Sequence, residues 1–310
     1  MDKLYDIIIV GAGPAGMTAA IYAKRAGLDV VIFEASAPGG KLVKTFEIDN
    51  WPGNPNISGV DLALQMLAHT EKLEIVTEYT GVKEVVDGKI KTVLTEDGRT
   101  FKTHAIIVAT GTVENKMNIP GEEQNIGHGV SFCAVCDGAF FKNKEVVVIG
   151  GGNSALEESL YLTQFASKIT IVIRRDVFRG DLMAQNAVLA HPKIVVLRKH
   201  IPIEVRSENK KVTGIVLKNV DTGETMELAC AGIFPYIGAK ASTGFVDNLG
   251  ICQEDGYIKV NEKMETCIKG VYAAGDVTVK PLRQIVTATA DGAVAAQMAF
   301  NYIKEYTSSH

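Results

Sequence analysis

The residues with the most chemical potential are Cys133-Ala134-Val135-Cys136, followed directly by Asp137-Gly138. Two thiols at this spacing either share a metal or cycle between dithiol and disulfide. A tetrahedral zinc site needs two more ligands. The chain has no second C-x-x-C, and His128, His191 and His200 have no matching spacing. Two packed thiols without chemistry are the plain alternative. A C-x-x-C thiol can have a lowered pKa, which makes a thiolate available near neutrality. Asp137 stands where a carboxylate could give and take the thiol proton.

Two glycine turns flank this pair in the sequence. The first, Gly11-Ala12-Gly13-Pro14-Ala15-Gly16, fits G-x-G-x-x-G. Gly11 permits the tight turn, Gly13 lets a pyrophosphate approach the backbone, and Gly16 lets the helix pack on the strand. The helix start supplies N–H groups and a favourable dipole for phosphates. Glu34, 23 positions after Gly11, falls where an acid binds ribose hydroxyls. The second turn, Gly150-Gly151-Gly152-Asn153-Ser154-Ala155, fits G-x-G-x-x-A. At the same offset it has Ile173 instead of an acid, then Arg174 and Arg175, with Arg179 four further on. Losing a carboxylate and gaining guanidinium groups fits an adenosine ribose with a 2′-phosphate. The plain alternative is a solvated basic strand end. One chain rarely needs two nicotinamides, so the economical assignment is FAD at the first turn and NADPH at the second.

The elements that must position these residues are legible as periodicity and punctuation. Residues 5–11 read as a buried strand, 14–25 as a helix and 29–34 as a second strand, which is a βαβ unit. Residues 35–60 are loop-rich, and 61–73 read as a helix. Residues 82–102 alternate around Asp87-Gly88 and Asp97-Gly98, an antiparallel meander. Residues 105–108 form a short buried strand ending at Thr110-Gly111. The order then repeats: strand 145–150, helix 153–166, strand 168–174, and a second meander from Val195, 212–217 and 225–228. A strand at 270–274 and an alanine-rich helix at 287–302 close the chain. Two βαβ units, each followed by a meander, amount to duplicated architecture. The last part lacks its own glycine turn and is expected to complete the first domain. The expected plan is residues 1–113, a second domain at 114–244, and 245–310 returning to the first.

Composition sets the outer limits. At roughly 100–200 residues per domain, 310 residues allow two domains or three. With 46% hydrophobic and 22% charged residues the chain is not disordered. A net charge of −4 gives no bulk attraction to nucleic acid. Five cysteines, an odd count, without a signal-like start argue against a disulfide framework and for a cytoplasmic protein without a membrane span. Cys230, Cys252 and Cys267 are read as packed or incidental thiols. Several clusters among the 30 glycines mark places where a nucleotide must approach the backbone.

The chain resembles the low-molecular-weight thioredoxin reductases of bacteria and archaea over essentially its whole length. The resemblance rests on Gly11 to Gly16, Pro38-Gly39-Gly40, Asp49-Asn50-Trp51-Pro52-Gly53 and Ala109-Thr110-Gly111. It continues through Cys133 to Gly138, Gly150 to Ala155, Arg174-Arg175 to Arg179, Gly275-Asp276 and Arg283-Gln284-Ile285. It implies two Rossmann-like FAD/NAD(P)-binding domains of three-layer ββα type, class II of the pyridine nucleotide-disulfide oxidoreductases, usually as a homodimer. It implies a flavoprotein in which electrons pass from NADPH to FAD, to the Cys133–Cys136 pair and to oxidised thioredoxin. Cys136 is expected to face the flavin, Cys133 to attack the partner and Asp137 to act as acid–base. Gly40, Lys41, Asn50, Val82, Thr110, Gly111, Gly275, Asp276, Arg283, Gln284 and Ile285 join the first turn around FAD. The NADPH-binding domain is expected to rotate on hinges near 112–120 and 243–248. Two positions depart from the family pattern: Ile173 replaces a His before the arginines, and Lys41 replaces a Gln.

Three other readings compete. A thioredoxin reductase fed by a reduced ferredoxin-like protein would lose the second turn or its arginines, and both are present. A ferredoxin–NADP reductase would lack the dithiol. A redox-sensing flavin module would show no turnover.

Overall fold

In strand Leu4–Val10 alternate residues face opposite ways, and both faces are apolar. Ile7 and Ile9 pack with Met17, Ala19 and Ala20 of helix Pro14–Arg25, and with Ala295 and Ala299. Ile8 and Val10 pack with Val85 and Val93 on the other side. A strand buried on both faces must lie between two layers, which explains its unbroken apolar run. Each fully buried isoleucine contributes roughly 1.5–3 kcal/mol of burial.

The computed structural model describes residues 3–45, 47–48, 50–54 and 56–308. Asp49 and His310 lie outside them. The chain forms two compact units: residues up to Val113 together with those from Lys240 onward, and Glu114–Ala239.

The first unit has a seven-stranded sheet. Val76–Glu78, Val30–Phe33, Leu4–Val10, Thr100–Val108 and Val271–Ala273 run parallel. Lys91–Thr95 and Val82–Val86 join antiparallel. Thr100–Val108 is one strand, where the sequence suggested a meander ending at 102 and a separate strand at 105–108. No turn residue interrupts it. Its start pairs with Lys91–Thr95, and its end pairs with Val271–Ala273. Helix Gly59–Lys72 is capped by the Ser58 hydroxyl, which accepts from the Asp61 N–H at 3.0 Å.

The second unit repeats the scheme. Ile194–Arg198, Lys168–Ile173, Glu145–Ile149 and Gly232–Pro235 form a parallel sheet. Val146 and Val148 pack with Leu156 and Leu162 of helix Asn153–Leu162. Val147 and Ile149 pack with Val205, Ile215 and Leu217 of the antiparallel layer. Both units are therefore Rossmann-like three-layer ββα structures.

Several expectations need correcting. Val195 lies in the parallel sheet and not in a meander. The chain breaks at Lys199, whose φ is 59°, and the meander is His200–Glu208, Lys211–Asn219 and Thr225–Ala229. Helix Leu182–Ala190, capped by Asp181, and strand Gly232–Pro235 were not anticipated. The C-terminal helix spans Ile285–Ser308 and so starts directly after Gln284, where Thr287 Oγ1 accepts the Gln284 N–H at 3.1 Å. The segment 243–248, expected as a hinge, belongs largely to the 3-10 helix Gly244–Leu249, with Val246 buried and Asn248 donating to the Val85 carbonyl at 2.9 Å, and the chain changes units before it, between Ala239 and Lys240. The strands in which the chain changes units, Thr112–Glu114 and Ala239–Ala241, pair with each other.

Candidate active site

The first glycine turn is built as its sequence requires. Gly11 has φ 106°, and a Cβ there would lie 2.5 Å from the Ala109 carbonyl oxygen. A Cβ on Gly16 would lie 1.8 Å from the Gly11 oxygen, so no side chain fits between turn and helix. Gly13 is the opposite case: nothing lies within 4 Å of a Cβ built on it. Gly13 caps helix Pro14–Arg25 without a side-chain partner, with Pro14 and Ala15 in the first turn. An open backbone at an uncapped helix start suits a pyrophosphate. Glu34 Oε2 accepts the Ala12 N–H at 2.8 Å, and its other oxygen accepts from Ser36. The carboxylate is thus held at the end of the second strand.

The residues expected to join this turn contact the turn itself, the flanking strands or one another. A Cβ on Gly40 would lie 3.4 Å from Gly13 Cα. Thr110 Oγ1 donates to the Ser242 carbonyl, and the Gly111 carbonyl accepts from the Ser242 N–H. Val82 packs on the cluster that includes Val10 and Phe33, the last residues of the flanking strands. Asn50 Nδ2 donates to Gln284 Oε1 at 3.0 Å. Ile285 packs against Leu42, Ile57 and Leu62. A Cβ on Gly275 would lie 2.8 Å from Ala15 Cβ, which brings the Gly275-Asp276 turn onto the first helix.

Asp276 is the most telling residue of this unit. Its Oδ1 is buried and has no hydrogen-bond partner. Burial raises its pKa, while the nearby positive charges of Lys41, Lys280 and Arg283 lower it. A buried acceptor without a donor marks the place of a missing polar group. A ribityl or ribose hydroxyl supplies such a donor, so these residues fit a flavin nucleotide. Arg283 is already engaged, donating to the carbonyls of Asp276 and Thr278 and lying over the Tyr257 ring.

The second turn has the same construction. Gly150 has φ 137°, and a Cβ there would lie 2.1 Å from the Tyr236 oxygen. Gly152 is open and caps helix Asn153–Leu162 without a side-chain partner. Ala155 is buried, and Ser154 is exposed. Asn153 Oδ1 accepts the Asp181 N–H at 2.8 Å, and the Gly151 carbonyl accepts the Arg179 N–H at 2.7 Å. Those two bonds fold the segment after the strand back over the turn. Arg174, Arg175 and Arg179 are exposed, and their guanidinium groups have no hydrogen bond or ion pair among the described residues. Three unpaired cations beside an open turn fit a phosphorylated ribose. Ile173 points into the core and is 3% exposed.

The same unit carries the cysteines. Cys133 and Cys136 form a disulfide with Cα atoms 5.3 Å apart. Cys133 caps the one-turn helix Ala134–Asp137, and its Sγ accepts the Cys136 N–H at 3.1 Å. Ser131 Oγ accepts the Cys133 N–H at 3.1 Å, and the Tyr236 hydroxyl accepts the Ala134 N–H at 3.0 Å. Burial pushes the Tyr236 pKa up. Cys133 is 9% exposed, whereas Cys136 is exposed. Asp137 follows Cys136 directly, half-buried, and its carboxylate forms no bond among the described residues. No group of three or more His, Cys, Asp or Glu able to hold a metal occurs among the described residues.

Sequence reasoning missed Tyr236, Glu158, Lys280 and Asp291. Asp291 had a signal of its own: a lone acid in the alanine-rich stretch Thr287 to Ala296. Tyr236 had none, because only the fold brings it to Ala134.

The profile of the pyridine nucleotide-disulphide oxidoreductase family matches residues 5–292. A thioredoxin reductase of Bacillus subtilis is 46% identical over 304 residues, 98% of this chain and 96% of that one. A crystal structure of Lactococcus lactis thioredoxin reductase in its FR conformation is 45% identical with a TM-score of 0.95, covering 97% of this chain and 99% of that one. A ferredoxin-flavin thioredoxin reductase from Clostridium acetobutylicum is 33% identical with a TM-score of 0.54, covering 99% and 100%. With both glycine turns, the disulfide and likeness along nearly the whole chain, this protein belongs to the pyridine nucleotide-disulphide oxidoreductases and, within them, to the low-molecular-weight thioredoxin reductase family.

Proposed function

We propose that this protein is a thioredoxin-disulfide reductase that takes electrons from NADPH through FAD to the Cys133–Cys136 pair and on to oxidised thioredoxin. The observation that carries the reading is the disulfide at Cys133 and Cys136 in the unit that also holds the arginine-flanked second turn. FAD is assigned to the first turn with Glu34 and the unpartnered Asp276 oxygen, and NADPH to the second with Arg174, Arg175 and Arg179. When bound, the flavin supplies a two-electron carrier between nicotinamide and disulfide.

The chain's own residues then handle sulfur and proton. Opening the disulfide takes two electrons and one proton from solvent, leaving a thiol on Cys136 and a thiolate on Cys133, where the Cys136 N–H already donates. The attack on the partner is assigned to Cys133, the sulfur that accepts this N–H, with Cys136 toward the flavin. The Cys133 thiolate attacks the partner's disulfide, forming a mixed disulfide and releasing one partner sulfur. Asp137 then takes the Cys136 proton as that sulfur attacks Cys133, re-forming the Cys133–Cys136 bond. The second partner sulfur leaves and takes the proton held by Asp137. The two units turn against each other between these half-reactions, about the paired strands Thr112–Glu114 and Ala239–Ala241.

A donor other than NADPH is the second reading, and the three unpaired arginines count against it. The test is turnover with a bacterial thioredoxin and NADPH: steady NADPH oxidation dependent on oxidised thioredoxin supports the reading, and none refutes it. We also assign the enzyme to the cytoplasm, since three cysteines remain free. A homodimer belongs to the same reading, with exposed Tyr22, Val60 and Leu64 offering apolar helix surface. Its mass in solution checks this. No helix among the described residues is long and apolar enough to cross a membrane.

A further inference from the structure

Lys280 and Asp291 form an ion pair whose side chains are only 11% and 14% exposed. The same Asp291 oxygen that accepts from Lys280 also accepts the Gly275 N–H at 2.9 Å. Gly275 precedes Asp276, so the pair is bonded to the backbone one residue before the carboxylate that has a buried, unpartnered oxygen. Lys280 is close enough to that carboxylate to act on its charge. Asp276 therefore stands near a half-hidden ammonium group and yet makes no bond to it with Oδ1. Arg283 cannot fill that role, because its guanidinium is taken by two carbonyls and the Tyr257 ring.

We infer that Asp291 is a positioning residue that holds the Lys280 ammonium away from Asp276, keeping the Asp276 carboxylate open for a hydroxyl of the flavin nucleotide. The inference rests on the assignment of the flavin to this turn. Without the Asp291 charge, a poorly solvated ammonium next to an unpartnered carboxylate pairs with it. The acceptor is then occupied from within the protein, and the flavin hydroxyl must compete for it. Asp291 also fixes the turn itself through the Gly275 N–H. The two roles are separable, because an asparagine keeps an oxygen for Gly275 while removing the charge.

The test measures free flavin in the ultrafiltrate of holoprotein at decreasing concentration, for wild type, Asp291→Asn, Lys280→Met and the double variant. Asp291→Asn is expected to raise the flavin dissociation constant by about tenfold or more, as loss of a hydrogen bond to a charged group does. Adding Lys280→Met is expected to bring it back to within about threefold of wild type, a non-additivity that pairwise coupling predicts. A merely structural role predicts the reverse, with the double variant binding no better than Asp291→Asn. Wild-type affinity in Asp291→Asn also overturns the inference. Should Asp291→Asn not fold, Lys280→Met and the isosteric neutral double variant still decide. The inference requires the double variant to bind flavin within about threefold of wild type, and a loss of about tenfold or more in it refutes the idea. Asp276→Ala, which removes the acceptor, serves as the control for the site assignment. Unchanged flavin affinity there removes the premise, whereas weakened binding there with wild-type Asp291→Asn removes only the role of Asp291.

Discussion

At the residue scale the two sulfurs of the dithiol have different surroundings. Cys133 has the backbone donor that stabilises a thiolate, and Cys136 is the more exposed of the two. The account expects Cys136→Ser to trap a stable mixed disulfide with thioredoxin through Cys133, because the resolving sulfur is gone. Cys133→Ser is expected to trap none. Gel mobility under non-reducing conditions distinguishes the two, and the opposite pattern moves the attack to Cys136. The arginines make a second claim at this scale. Arg175→Ala should raise the KM for NADPH by about tenfold or more and leave that for NADH nearly unchanged, since a charge-assisted phosphate contact is lost only for the former. Equal effects on both cofactors contradict the assignment. The glycine pattern, Glu34 and the arginine positions were readable because they are local in sequence. Which cysteine is exposed was not readable, since burial depends on Tyr236, more than a hundred positions away, and on the core around Ala134.

At the element scale, helix Asn153–Leu162 does two jobs. Its start presents the open Gly152, and its body carries Glu158, with one buried carboxylate oxygen lacking a partner. Burial, with some help from the Glu157 charge, pushes the Glu158 pKa up to about 8. In the unfolded chain this group ionises near the ordinary value of 4.5. The folded state therefore binds the extra proton between those values, and stability falls as pH rises through that window. Glu158→Gln should raise the melting temperature more at pH 9 than at pH 5. A gain independent of pH in thermal melts would falsify the buried-acid explanation. The elements were legible where periodicity and punctuation agree, as in Pro14–Arg25. Legibility failed at Thr100–Val108, one strand serving two layers, because its pattern changes partway along: exposed and half-buried residues at the start, near-continuous burial at the end. It also failed at Leu182–Ala190, where apolar residues are spread around the helix and Val188 alone is fully buried.

At the scale of the whole molecule, the chain leaves its first unit after Val113 and returns at Lys240. The duplicated βαβ pattern made two nucleotide units legible. The expected return at 245 lies five residues past the observed one, because nothing local marks Lys240, whereas Thr243 is already buried in the first unit and bonded to the Gly256 carbonyl. With the two nucleotide turns in different units, the electron path needs both. The central claim is that NADPH electrons reach the disulfide through the flavin, and an anaerobic NADPH titration of the holoenzyme, followed by flavin absorbance and thiol count, tests it most directly. The account predicts uptake of about two equivalents of NADPH per chain, with the flavin bleached and two new thiols formed, since flavin and disulfide are each two-electron couples. Cys136→Ser should take up about one. A flavin that stays oxidised, or a flavin that bleaches while no thiols appear, would contradict it.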